Sequence, residues 1–287
     1  MKVNFNELTK LYPNHKIPVV KHAEYYLDLL NEANITTKIP IQQLKCLQAI
    51  GTDVSKYKMK SMDEILKYFK NNHWDLSELP LSSPIFNKED YTLLDFNNWN
   101  TTSPTATYVS IDLKQANWQS FKLAFGLNLP DWETWTKQTF NLHPFIADSK
   151  SFRQLLFGNT NPKRLQTIQQ EMMKDLLSIF PESLKGFIVS RKSDEIILEF
   201  PVFFQSDMDL LNSFLTPNFS VSKFTVSEHL SSNETIKTKN MDNGEAKMIN
   251  VPGNRYFIHL KNIILKKEID ERDLYFEVDN KLAKWIL

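Results

Sequence analysis

Apolar and polar residues recur along this chain with two rhythms, and the rhythm changes once. Up to about residue 75 the spacing is helical. "PVVKHAEYYLDLLNEA" places Val20, Tyr25, Leu27, Leu30 and Ala33 near one face, with Pro18 at the start. "PIQQLKCLQAIG" repeats the device, entering at Pro40 and leaving at Gly51. "SMDEILKYFKNN" opens on Ser61 and Glu64, the spacing of a capping box. Residues 1–75 are therefore predicted as a small helical N-terminal region. The proline-containing stretch 76–105, with its run "FNNWNTTSPT", reads as a connector.

From residue 106 strand-like alternation enters. "ATYVSIDL" is β-branched and aromatic, hence a predicted strand. Helical segments follow. Asp131 caps "DWETWTKQTF", Gly126 and Gly158 act as stops, and Asn161-Pro162 opens the longest helix, with Ile168, Met172, Leu176 and Ile179 as its stripe. Then come the hairpin "LKGFIVSRKSDEIILEFP", a helix at "SDMDLLNSFL" with Ser206 as cap, and the strand "FSVSKFTVSEHL". Strand, helices, strand, strand, helix, strand is the order of a ferredoxin-like sheet, so 106–230 is predicted as an α+β domain of that type. Residues 231–247 are polar and predict a mobile loop, and 248–287 a closing helix and hairpin.

Composition narrows the function classes. The 287 residues carry 34 basic and 34 acidic side chains, which argues against a uniformly cationic nucleic-acid coat and leaves room for a local patch. Cys46 is the single cysteine, so no intrachain disulfide or cysteine zinc site is expected, and a reducing, cytoplasmic setting fits. The six histidines lack ligand spacing. No apolar run suits a membrane span, and "MKVNFNELTK" lacks a signal-peptide core, so no membrane partner is predicted. Only six glycines occur, and neither phosphate-binding glycine motif is among them. Any phosphate would have to be held by metal and basic side chains.

The candidate chemistry lies in the hairpin. "RKSDE" interrupts an otherwise apolar pair of strands with two adjacent carboxylates, Asp194 and Glu195. In the predicted sheet the hairpin's second strand, which starts at Asp194 and Glu195, runs antiparallel to "ATYVSIDL", which brings Asp112 and Asp194 close together. Alternation lets at most one of the latter share Asp112's face. Close carboxylates repel unless a cation sits between them. Mg²⁺ takes oxygen ligands and is often held by one or two carboxylates plus substrate phosphates. Ordinary turn residues are the competing reading, because turns favour Asp and tolerate charge.

"YVSIDLKQANWQSF" and "RKSDEIILEF" together resemble the palm of the tRNA-His guanylyltransferase family. Leu113-Lys114 stands where that family has Gly-Arg. The resemblance implies a polymerase palm-type fold and nucleotide addition to a nucleic acid, RNA or tRNA before DNA, in the 3′-to-5′ direction. It also implies two Mg²⁺ ions with a nucleoside triphosphate as substrate, the metal positions being Asp112, Asp194 and Glu195, assisted by the main-chain carbonyl of Leu113. A palm-type cyclase making a signalling nucleotide and a non-catalytic RNA-binding or assembly protein are the alternatives, and self-association into a homo-oligomer is compatible with each. "KSFRQLLFGNTNPKR" and "VPGNRYF" are similar to uncharacterised proteins of phages and large DNA viruses.

Between the two motifs, from Lys150 to Lys192, eight basic residues face three acidic ones. Arg153, Lys163 and Arg164 are the expected phosphate ligands. The latter two sit in a first helical turn, where the helix dipole disfavours cations unless an anion binds. Lys192 and Lys114 flank the acids and are assigned the same role. Trp118, Trp132 and Trp135 are read first as core and second as base-stacking residues.

Overall fold

The computed structural model describes residues 18–19, 22–33, 35, 53–78, 96–97, 102–230, 235–249, 251, 255–278 and 281–286. The predicted helix at 40–51, with Cys46, and most of the predicted connector lie outside these. The chain divides into a larger unit, Cys46–Thr102 with Ala106–Lys223, and a smaller one, Met1–Lys45 with Ser103–Thr105 and Phe224–Leu287. Helix α1, Ala23–Glu32, belongs to the smaller unit and helix α2, Val54–Asn71, to the larger.

The larger unit is α+β. Its strands are β1 (Phe96–Asn97), β2 (Thr107–Leu113), β3 (Ile188–Arg191), β4 (Glu195–Phe200) and the start of β5 (Phe219–Leu230), in the order β1-β3-β4-β2-β5. The register is antiparallel between β1 and β3, β3 and β4, and β2 and β4. Between β2 and β3 run α3 (Ala116–Ala124), α4 (Trp132–Phe140), α5 (Pro144–Ala147), α6 (Lys150–Gly158), α7 (Pro162–Ile179) and α8 (Glu182–Lys185). Helix α9, Gln205–Phe214, joins β4 to β5.

Capping residues explain most helix starts. Asp131 accepts from Thr134 N at 2.9 Å, Ser149 from Phe152 N at 3.1 Å and Asn161 from Arg164 N at 3.2 Å. Helix α2 starts eight residues before the sequence reading placed it. Asp53, accepting from Lys56 N at 3.1 Å, is its cap, and Ser61 is buried mid-helix. At α9 the predicted cap Ser206 lies inside the helix, and Asp207 instead reaches back to Phe204 N at 2.8 Å.

Period-two alternation splits the side chains of β2 and β4. Val109, Ile111 and Leu113 share one face with Ile196, Leu198 and Phe200, and there pack against Met173 and Leu176 of α7, Leu184 of α8 and Leu211 of α9. Tyr108, Ser110 and Asp112 take the other face with Glu195, Ile197 and Glu199, because cross-strand partners share a face. A second core, aromatic, forms among α2 to α6. Phe69 stacks on Phe121 at 4.4 Å and Trp118 on Trp135 at 4.7 Å. Trp118 and Trp132 direct their indole N–H groups to the carbonyls of Pro130 and Ala147, at 2.9 and 3.0 Å. All three tryptophans are buried, which assigns them to packing and removes the base-stacking alternative.

In the smaller unit the later part of β5 pairs with β6 (Thr235–Met241), which pairs with β7 (Ala246–Ile249). This corrects the predicted loop at 231–247, most of which is hairpin. The segment is poor in apolar residues, but Ile236 and Thr238 alternate onto a buried face, and Gly244 supplies a positive φ of 82° in the connecting turn. The unit continues through α10 (Tyr256–His259), a π-helical turn (Leu260–Ile264), a 3-10 turn (Glu271–Leu274) and the hairpin β8 (Tyr275–Val278) and β9 (Lys281–Lys284). Polar contacts tie α1 to this end. Buried Asp273 accepts from Tyr25 Oη at 2.6 Å and pairs with Lys261 at 3.0 Å. Burial and that carboxylate push the Tyr25 phenol well above its ordinary value. Among the described residues no helix is long and apolar enough to cross a membrane.

Candidate functional site

The site is assembled by the register of β2 and β4. Asp112 lies directly across from Glu195. One step further the Leu113 N–H donates to the Asp194 carbonyl at 2.8 Å. Since hydrogen-bonded and non-hydrogen-bonded pairs alternate along an antiparallel ladder, Asp112 and Glu195 form a non-hydrogen-bonded pair. That is the pair type with the closer Cα atoms, about 4.5 Å apart, and the closer side chains. The backbone thus fixes two carboxylates side by side on the face turned away from the core around α7, α8 and α9.

Of the two acids in the hairpin, it is Glu195 that shares Asp112's strand pair. Asp194 sits in the bend just before β4, and it is its carbonyl that bonds to β2. Glu195 is half-buried and held on both carboxylate oxygens. Ser110 Oγ donates to Oε1 at 2.7 Å, and Lys192 Nζ stands 3.4 Å from Oε2. Asp112 is exposed, and its carbonyl accepts from Ser220 Oγ of β5 at 3.2 Å. Exposure rises along β2: Tyr108 and Ser110 are buried and Asp112 is open. The acids therefore occupy a solvent-reachable strand end on a rigid base.

Ser110 escaped the sequence reading. A signal for it exists, since it lies two residues before Asp112 and so on the same face. Glu199, which reads from sequence as surface, is half-buried and accepts from Tyr108 Oη at 2.9 Å.

The cations predicted to hold phosphate do not gather at the acids as a set. Lys192 is there, on Glu195. Lys114 is exposed, and its Nζ donates to the Pro217 carbonyl at 3.0 Å, clipping the end of β2 to the approach of β5. Arg153 pairs with Glu133 at 3.2 Å with only 12% of its side chain exposed. Burial pulls its guanidinium below the ordinary value and Glu133 counters. Arg164 donates to the Leu76 carbonyl. Lys163 is exposed in the first turn of α7.

Among the described residues no group of three or more His, Cys, Asp or Glu side chains is arranged to share a metal ion. The pair Asp112 and Glu195 is nonetheless a donor set of the kind Mg²⁺ uses, two carboxylates with the remaining positions left to water and phosphate. No protein-family model matches the chain, and the searches of curated proteins and of solved structures return no similar protein.

Proposed function

We propose that the larger unit is a palm-type, divalent-metal-dependent nucleotidyltransferase that adds nucleotides to a nucleic acid, with Asp112 and Glu195 as its metal-binding carboxylates. The observation that carries this reading is the non-hydrogen-bonded pairing of Asp112 with Glu195 at an open strand end. Two carboxylates held side by side at an open strand end offer the oxygen donors that a hard divalent cation uses. The strand order β3-β4-β2-β5, with helices in both crossovers, supports a ferredoxin-like, palm-type sheet.

Bound Mg²⁺ would lower the barrier by polarising a phosphoryl oxygen and favouring the deprotonated attacking hydroxyl. The chain's own part is positioning. The β2–β4 ladder sets the carboxylate separation, Ser110 orients Glu195, and the main-chain carbonyl of Leu113 is the proposed assisting ligand. Without metal, Lys192 balances the charge on Glu195; with metal and triphosphate bound, the same ammonium is free to move toward phosphate. Asp194, one residue from Glu195, is the proposed third acid and the ligand a second ion would call on.

The test is a Mn²⁺ and Mg²⁺ titration with labelled nucleoside triphosphates and an RNA acceptor. Metal-dependent incorporation is expected. A cyclic mononucleotide product would replace this reading with the cyclase, and tight RNA binding without turnover would replace it with a non-catalytic RNA-binding protein.

A further inference from the structure

Strand β3 is irregular just before the hairpin. Ile188 pairs with Leu198 of β4, but Ser190 pairs with Ile197, so the ladder takes in one extra residue between them. Regular pairing from Ile188 onward would set Ser190 opposite Ile196, on the core-facing side. The bulge turns it to the other face, which carries Glu195 and Asp112. There it does not meet water. Ser190 is 1% exposed, and its Oγ meets no hydrogen-bond partner among the described residues. A buried hydroxyl left unpaired costs stability, and native proteins keep few of them.

The register relates this hydroxyl to Glu195. Ile197 pairs with Ser190 on one side and with Ser110 of β2 on the other. The two serines thus flank one residue of β4, and Glu195 lies two positions along that strand, on their face. From this diagonal position Ser110 Oγ reaches Glu195 Oε1 at 2.7 Å. The same diagonal step separates Ser190 from Glu195 on the opposite side, within the span of a serine and a glutamate. The second carboxylate oxygen is instead held by Lys192 Nζ, at 3.4 Å and with 45% of that side chain exposed. Exposed ion pairs of this kind are weak.

We infer that Ser190 is a second positioning residue for Glu195, whose hydroxyl replaces Lys192 as the donor to Oε2 when the ammonium is drawn away. The occasion for that exchange rests on the proposed nucleotidyltransferase reading, in which phosphate attracts Lys192. The carboxylate is then held between two buried hydroxyls, Ser110 and Ser190. A hydroxyl brings no charge, and each carboxylate oxygen keeps a lone pair, so this support does not compete with a metal ion.

The exchange is tested on the full chain, first without metal, by a double-mutant cycle of melting temperatures in EDTA. Lys192→Met removes the ammonium and keeps an apolar stem. Beside Lys192, Ser190→Ala is expected to leave the melting temperature unchanged or to raise it, because the hydroxyl is unpaired there. In the Lys192→Met background the same substitution is expected to lower it by about 2–4 °C, the effect of one lost hydrogen bond. Mn²⁺ is then titrated by calorimetry with a nonhydrolysable nucleoside triphosphate present, and Ser190→Ala is expected to weaken its binding about tenfold. Equal shifts in the two backgrounds, zero included, overturn the proposal. Mn²⁺ held as tightly by Ser190→Ala as by the wild type overturns it too. A wild type that binds no Mn²⁺ while the coupling in EDTA persists leaves Ser190 as the alternate partner of Glu195 and brings down the metal reading alone.

Discussion

Asp112 and Glu195 at the strand end, and Lys174, Lys185 and Arg191, which line a cleft of about 450 Å³ on the helical side of the same sheet, are two like-charged groups built by opposite means. The acids are neighbours because the backbone ladder makes them so. Their side chains are short, and Ser110 and Lys192 hold one of them. The cations come from three separate elements on long, flexible stems, whose freedom costs about 2 kcal/mol each to remove. Ladder-fixed carboxylates suit a ligand with strict geometry, such as Mg²⁺ with its short, near-octahedral bonds. Rigidity is where the two differ most, and each can be tested by disturbing what supplies it.

The largest effect is expected at the acids. Asp112→Asn and Glu195→Gln should each lower metal-dependent turnover by about 10³-fold, equivalent to about 4 kcal/mol of charge stabilisation, in the labelled-triphosphate assay. Turnover near wild type in either variant would end the metal assignment. Next comes the floor that holds both places. Leu198 is fully buried on the core side of β4, and Leu198→Ala should cost about 2–5 kcal/mol in urea denaturation. A loss below 1 kcal/mol would mean that the ladder is not anchored as described.

The acid pair also predicts a thermal effect. Added Mg²⁺ should raise the melting temperature of the wild type and leave that of Asp112→Asn unchanged. An equal rise in both would show that the carboxylate does not hold the ion.

The smallest effect concerns the cap of helix α5. His143 Nδ1 accepts from Phe145 N at 3.2 Å at the start of α5, which requires an unprotonated ring nitrogen. Burial lowers the His143 pKa. With the folded value below the unfolded one, the contribution is intact above about pH 6.5 and is lost as pH falls from there through the folded pKa. His143→Asn keeps a capping acceptor and should flatten the stability profile across that window. An unchanged profile would remove His143 as its source.

Local chemistry made much of the fold readable from the chain. The alternation of 107–113 and 195–200 marks strands, Asn161-Pro162 marks the start of α7, and Asp131 caps α4, because each depends on neighbours within a few residues. Alternation also established that only one of Asp194 and Glu195 could share Asp112's face. The choice of Glu195 belonged to the register, a property of two strands together. The hairpin at 235–249 was hidden because its sequence is mostly polar, and its strand character comes from paired partners and one buried face.

The basic residues divide in the same way. That the stretch from Lys150 to Lys192 is cationic is written in the chain. Which partners those charges take is not, since charge is a property of a residue and its partner a property of the surroundings. Arg153 pairs with Glu133, twenty residues away, and Arg164 with a carbonyl 88 residues away, while Lys174, Lys185 and Arg191, each with a partner of its own, line one cleft that no spacing announces. Periodicity and capping act over a few residues and so can be read along the chain. Strand register and the gathering of side chains from separate elements arise only once distant segments pack, and both clusters of charge in the larger unit are products of that packing.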